Sequence, residues 1–316
     1  MDMLSTFNGS HFSKVFPKAW DLKKIKECVS NPPEEIMKRQ SFWHDGFSLT
    51  PCENLEEFGV YMGHEIAMQI RQTKEEGQEL ILVLPVGPMG MYKWVVYFLK
   101  AWNVDCKHVH GFNMDEWSDD KGNTVPASEP VAFQNAMENA LYGPLGELTV
   151  PVSQRNFATR ENLIQYPEKI AALKAKGAKQ VMVYGIGRAC HIAFWEPHFA
   201  EEYASYEDWK KEPYRVGANL HPFTIEQNAI TSFRSNWTLI PCYANTIGPG
   251  IIFGTDYAIG GCDGVLSRGM QWQGLSLWMT LRYGPDKAVT SSSIPTMPGR
   301  LFFMKELAGP LCADTN

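Results

Sequence analysis

The run Leu80-Ile-Leu-Val-Leu84 constrains this chain more than any other stretch. Five apolar residues without polar alternation suit a strand covered on both faces, and such strands belong to parallel sheets packed between helices. Pro85 and Gly87 stop the run. Tyr92, Val95, Val96 and Leu99 then recur at helical spacing before a second strand expected from Cys106 to Phe112. Strand, helix and strand in that order predict a βαβ unit. The order returns downstream, where Pro167 suits a first helical turn, Ile170 and Leu173 face inward, Gly177 ends the helix, and Gln180-Val-Met-Val-Tyr184 runs into Gly185. A third round is expected from a strand at Tyr257 to Gly261, a helix from Leu266 to Arg282 and a closing strand from Leu301 to Met304. The expected fold class is α/β, a doubly wound, mostly parallel sheet flanked by helices.

A length of 316 residues accommodates one large domain of this kind. Two stretches fall outside the rhythm: residues 1–50, expected to be an N-terminal extension, and a region around 198–241, expected to be an insertion in a domain spanning 51–316. With 29 basic against 35 acidic residues the net charge is -6, and no Lys/Arg run exceeds a pair. Nucleic acid and anionic membranes are therefore not expected as partners. The first twenty residues interrupt their apolar content with Asp2, Asn8, His11 and Lys14, unlike a signal peptide, and no apolar stretch approaches a membrane span. Seven scattered cysteines with no C-x-x-C spacing argue against a disulfide framework or zinc ribbon. A cytoplasmic location is expected.

In an open parallel sheet, ligands bind beyond the carboxyl ends of the strands, which directs attention to three loops. They are Leu84 to Met91, Gly111 to Trp117 and Gly185 to Pro197. The second holds Asp115 and Glu116, a carboxylate pair that suits either proton transfer or an ordinary solvated turn. The third holds His191 and Glu196, an imidazole that a carboxylate could orient, although a structural histidine fits the same spacing. Cys106, His108 and His110 alternate along the expected strand and could begin a metal site, but no second ligand cluster accompanies them, and a structural role is favoured.

Read together, the loops carry more. Asn113-Met-Asp-Glu-Trp117 resembles the N-M-D-E-aromatic signature of glucosamine-6-phosphate deaminases, and Gly185-Ile-Gly187 followed by His191-Ile-Ala-Phe-Trp-Glu-Pro197 resembles their G-x-G-x-D-G-H-I-A-F-N-E-P. Tyr243-Ala-Asn-Thr-Ile-Gly-Pro-Gly250 is similar to their Y-A-L-T-x-G-x-G, and the likeness covers roughly residues 51–310. It implies a Rossmann-like sheet of the deaminase/ribose-phosphate-isomerase type and a cofactor-free aldose/ketose isomerase or deaminase acting on an amino sugar or its phosphate. By position it makes Asp115 the C1/C2 base, His191 the ring-opening acid/base and Glu196 its carboxylate partner. Gly87, Met89, Gly90, Glu116, Gly187 and Ala193 become expected substrate contacts. No metal or redox cofactor is implied, and a homo-oligomer is expected.

The departures from the motif matter as much. Ala189-Cys190 stands where the family has Asp-Gly, and Trp195 replaces an asparagine and is expected to reshape the pocket. In the first loop Pro88 lacks an N–H, and Val86 and Met89 lack hydroxyls, so most of the phosphate cradle is expected to be absent. The family's phosphate-binding arginine falls near Gln227 to Ala229 and its lysine near Ser267 or Arg268, where Arg268 is the expected substitute. Two alternatives accompany the isomerase reading, a non-catalytic sugar-binding sensor and a sugar lactonase.

Overall fold

The computed structural model describes residues 3–266 and 269–312. Seven strands form one parallel sheet: β1 (Phe47–Cys52), β2 (Leu80–Leu84), β3 (Val109–Asn113), β5 (Arg155–Asn156), β6 (Lys179–Gly185), β9 (Tyr257–Cys262) and β10 (Gly299–Met304), in the spatial order β1-β10-β9-β6-β2-β3-β5. Every residue of β2 is buried, as its unbroken apolar run requires. Truncating a side chain such as Leu82 there costs about 2–5 kcal/mol. The connection leaving β2 leads to β3 on one side, whereas β6, β9 and β10 lie on the other. The topological switch therefore falls between β2 and β6, and the crevice at their carboxyl ends is the place where this architecture binds ligands.

Met114 carries the chain out of that sheet. Its N–H donates to the Leu84 carbonyl at 3.0 Å and its own carbonyl accepts the Ile247 N–H at 2.8 Å. The next residues, Asp115–Ser118, are β4, which pairs antiparallel with β8 (Tyr243–Ile247), itself paired with β7 (Tyr214–Asn219). This second, three-stranded sheet is absent from the sequence reading. It fixes where Asp115 starts, directly beyond β3.

Several expected elements differ in extent. The helix expected from Leu266 covers only Gly274–Arg282. Gly269 adopts a φ of 76°, which suits a turn, and a Cβ on Gly274 at the helix start would lie 2.8 Å from the Leu307 carbonyl oxygen, so one glycine serves a turn and the other a close approach. Cys106 and His108 precede β3 instead of alternating along it. His108 Nε2 lies 3.0 Å from the Ile70 carbonyl and 3.1 Å from Thr73 Oγ1, while His110 Nε2 faces Glu79 at 3.0 Å, so the two rings serve different partners.

The sheet begins at Phe47, inside the stretch expected as an extension. Upstream of it, Trp20 donates its indole N–H to the Ala288 carbonyl at 2.7 Å, and Trp43 donates to the Leu281 carbonyl at 3.2 Å, anchoring the N-terminal segment on the helix Gly274–Arg282 and the loop after it. The region 198–241 contributes β7 and the helix Pro222–Ser232. Among the described residues no helix is long and apolar enough to cross a membrane.

Candidate active site

A cavity of about 470 Å³ opens at the carboxyl ends of β2, β3, β6 and β9. Its volume falls in the usual range for small-molecule sites, about 300–1,000 Å³. Of the residues nominated from sequence, Gly87, Met89, Asp115, Gly187, His191 and Ala193 line it. Gly90, Glu116 and Glu196 do not, and Arg268 lies outside the described residues.

Asp115 and Glu116 are adjacent, and their surroundings divide their roles. The Asp115 carboxyl is buried against the cavity, and burial, reinforced by the negative charge of Glu116, pushes it well above the usual carboxylate range. It is a stronger proton acceptor than an exposed aspartate. Glu116 was expected to touch substrate, but its carboxylate accepts the N–H groups of Trp117, Phe133 and Gln134, each at 2.9 Å. It caps the N-terminus of the helix Phe133–Met137, whose first N–H groups have no partner within the helix. Burial raises the Glu116 carboxyl, and these three donors partly offset the effect.

His191 sits in a tight turn after β6. The Cys190 N–H donates to the Gly187 carbonyl at 2.9 Å and the Gly187 N–H returns to the His191 carbonyl at 3.0 Å. The ring then folds over Gly187 so closely that a Cβ there would lie 1.9 Å from Nε2. Only glycine leaves space for the imidazole in this position. On the opposite edge, Nδ1 lies 3.0 Å from Thr224 Oγ1 and 3.4 Å from Glu196 Oε2. A proton on Nδ1 directed at this pair leaves Nε2 free to exchange one with a ligand.

Glu196 has no solvent exposure. Burial alone would raise its carboxyl, but the His191 imidazole, with Thr224 and His221 nearby, outweighs that and holds it below the usual value. An ionised carboxylate beside the ring is the partner that an imidazole taking up a proton needs.

Thr224 belongs to the helix Pro222–Ser232 and stands 33 residues from His191 in sequence. It supplies an orienting contact in a site where Ala189 brings no carboxylate, and nothing in the local motif announces it. Cys190 keeps a φ of 56°, a left-handed conformation that costs a non-glycine residue about 1–2 kcal/mol. Its side chain is buried with Sγ 3.8 Å from Met279 Sδ, and burial pushes the thiol up. Trp195 was expected to reshape the pocket. It points elsewhere, into a cluster with Phe199, Trp209 and Ala218, and does not line the cavity.

The remaining wall holds residues that the sequence reading passed over. Asp263 follows β9 as Asp115 follows β3, and it lines the cavity with Gly264, Trp272 and Gln273. The strand-end rule applied to the third βα unit would have found it. Burial raises its carboxyl to about 6. Gln227 and Asn228, near the position of the expected arginine, also face the cavity.

Comparison with known proteins agrees with this geometry. No protein-family model matches the chain. A glucosamine-6-phosphate deaminase of Caenorhabditis elegans is 28% identical over 198 residues, covering 62% of this chain and 68% of the relative. One from Yersinia pestis (strain Pestoides F) is 28% identical over 215 residues, covering 65% and 72%. A solved monomeric glucosamine-6-phosphate deaminase of the NagB superfamily superimposes with a TM-score of 0.66 at 17% identity, covering 82% of this chain and 98% of that one. A 6-phosphogluconolactonase from Trypanosoma cruzi gives 0.57 at 16% identity, covering 87% and 100%. With the N-M-D-E and H-I-A-F motifs placed around one cavity on this sheet, the chain is similar in sequence to glucosamine-6-phosphate deaminases and shares a fold with them and with 6-phosphogluconolactonases.

Proposed function

We propose that the protein is a cofactor-free isomerase or deaminase of an amino sugar or closely related sugar. The observation that carries this reading is a buried, high-affinity proton acceptor, Asp115, sharing one cavity with His191. His191, backed by Glu196 and Thr224, would move a proton between the anomeric hydroxyl and the ring oxygen as the ring opens. Asp115 would then take the C2 hydrogen of the open aldehyde while the aldehyde oxygen gains a proton from protonated His191 or water, giving an enolamine, and would return the hydrogen to C1 as the C2 nitrogen gives up a proton to the imidazole or water. With an amine on C2 the product is a 2-imine, which water hydrolyses to a ketose and ammonia. With a hydroxyl there, the same carbon transfers, with the O2 proton passing to O1 through the imidazole or water, give the ketose directly. These steps require acid/base chemistry alone.

The relatives named above support the sugar assignment. Seven unpaired cysteines fit a reducing compartment, and a cytoplasmic homo-oligomer completes the proposal, with size-exclusion chromatography as the test of its assembly.

Exchange of the glucosamine C2 hydrogen with solvent deuterium tests the central step. Asp115→Asn should slow exchange by about 10²- to 10⁴-fold while leaving ligand-induced thermal stabilisation in place, because an amide still hydrogen-bonds but cannot accept the proton. Exchange in the unsubstituted protein should rise with pH through a value above the usual aspartate range near 4, since only ionised Asp115 can act as base. Sugar binding without exchange would put a sensor in place of the enzyme. Lactone hydrolysis without exchange would put the hydrolase there.

A further inference from the structure

Proton transfer between C1 and C2 leaves the β9 end of the cavity without a task, yet that end is held in detail. The Gly264 N–H donates to Gln273 Oε1 at 2.8 Å, and Gln273 Nε2 donates to the Ile186 carbonyl at 2.6 Å, tying the loop after β9 to the loop after β6. The Trp272 N–H donates to the Gly264 carbonyl at 3.0 Å. This frame presents the Asp263 carboxyl and the Trp272 ring to the cavity. Strands β6 and β2 separate β9 from β3, so three interstrand spacings place the two strand ends roughly 14 Å apart. A sugar chain with its reacting carbons at Asp115 that extends along the strand ends toward β9 would bring its far terminus to Asp263.

We propose that the Asp263 end of the cavity recognises an uncharged, hydroxyl-bearing terminus of the sugar and discriminates against a phosphate ester there. This rests on the sugar-isomerase reading and names its substrate class. A carboxylate accepts hydroxyl hydrogens and repels a phosphate dianion, and an aromatic ring covers the carbon face beside it. Among the described residues lining the cavity the charged or titratable side chains are Asp115, His191 and Asp263, with no lysine or arginine. Gln227, Asn228, Thr231 and Ser232 also face it, and they serve a hydroxyl or an ester oxygen equally. Asp263 therefore sets the preference. Across the cavity Pro88 has no N–H to offer an anion, and Val86 and Met89 have no hydroxyl. No side chain among the described residues hydrogen-bonds or ion-pairs with Asp263, whose carboxyl is raised to about 6 by burial and is met only by its own backbone N–H, so a hydroxyl donor there finds acceptor capacity that no other side chain uses.

The test measures dissociation constants of glucosamine and glucosamine 6-phosphate for the full chain and for Asp263→Asn, Asp263→Ser and Arg268→Ala, with C2 exchange read in the same samples. The unsubstituted protein should bind glucosamine at least as tightly as its phosphate. Either Asp263 variant should weaken glucosamine about tenfold and strengthen the phosphate, reversing the order. Arg268→Ala should leave that order unchanged. A phosphate ester bound tenfold more tightly by the unsubstituted protein, with the preference lost in Arg268→Ala, would overturn the proposal and assign this end to Arg268. Equal changes for both sugars in both Asp263 variants would also overturn it, by making Asp263 structural. The predicted selectivity without C2 exchange would leave this assignment standing while removing the isomerase reading.

Discussion

The two ends of the cavity resemble the deaminase motifs to different degrees. Around β3 and β6, the residues that would move protons keep the family motif: Asp115 faces the cavity, and His191 folds over Gly187 with Glu196 behind it. Around β2 and β9, Val86 and Met89 carry no side-chain hydroxyl, Pro88 has no N–H, and Asp263 brings a carboxylate. The contrast separates reaction from recognition. Within the end that carries the motif a smaller contrast repeats the lesson, because Asp115 and Glu116 are chemically alike and structurally opposite: among the described residues no side-chain hydrogen bond reaches the Asp115 carboxyl, whereas Glu116 holds three N–H groups.

The largest effect should come from the reacting end. Gly187→Ala puts a methyl where the His191 ring lies, and a displacement of about 1 Å is enough to reduce turnover roughly a hundredfold. Exchange kinetics at saturating sugar would show it as a loss in kcat, and an unchanged kcat would mean that His191 does not participate. Asp263→Asn should not reduce kcat in this way, which keeps the two ends distinguishable.

The carboxylate pair gives the next effects, and they have opposite signs. Glu116→Gln turns an NH₂ toward a backbone N–H that the carboxylate now satisfies, costing about 1–3 kcal/mol in denaturant unfolding at neutral pH. Asp115→Asn should stabilise the fold instead. Its raised carboxyl makes the native state bind more protons than the unfolded chain, so the Asp115 contribution to stability is lost as pH rises from its unfolded value through its folded value. The gain from Asn should therefore grow with pH and vanish in acid. A pH-independent gain would place Asp115 in a less buried setting.

The smallest effect concerns the orientation of the imidazole. Thr224→Val removes the hydroxyl 3.0 Å from Nδ1 while keeping the shape, and should reduce turnover of a closed-ring sugar several-fold, on the order of 1 kcal/mol. An already open substrate should be spared. Adding Ala189→Asp together with Cys190→Gly should recover part of the loss, and no recovery would show that Thr224 acts on packing alone.

Continuous burial on both faces leaves its mark as an unbroken apolar run, which is why β2 and the central part of β6 were legible from local composition. The strand-end rule then located the cavity, and the motifs located Asp115 and His191. What stayed hidden depends on residues remote in sequence. Glu116 finds its donors 17 and 18 residues away, Thr224 reaches His191 across 33, and the sheet of β4, β7 and β8 joins segments between Asp115 and Ile247. Trp195 looked like a pocket residue because its motif neighbours are, yet its ring packs into another cluster. The sequence by itself determined the parallel α/β scaffold and the motifs that carry Asp115 and His191, because periodicity and local motifs act over a few residues. The tertiary structure alone decided which carboxylate faces the cavity, what orients the imidazole and that Asp263 closes the far end, because burial and hydrogen-bond partners exist only once distant segments pack together.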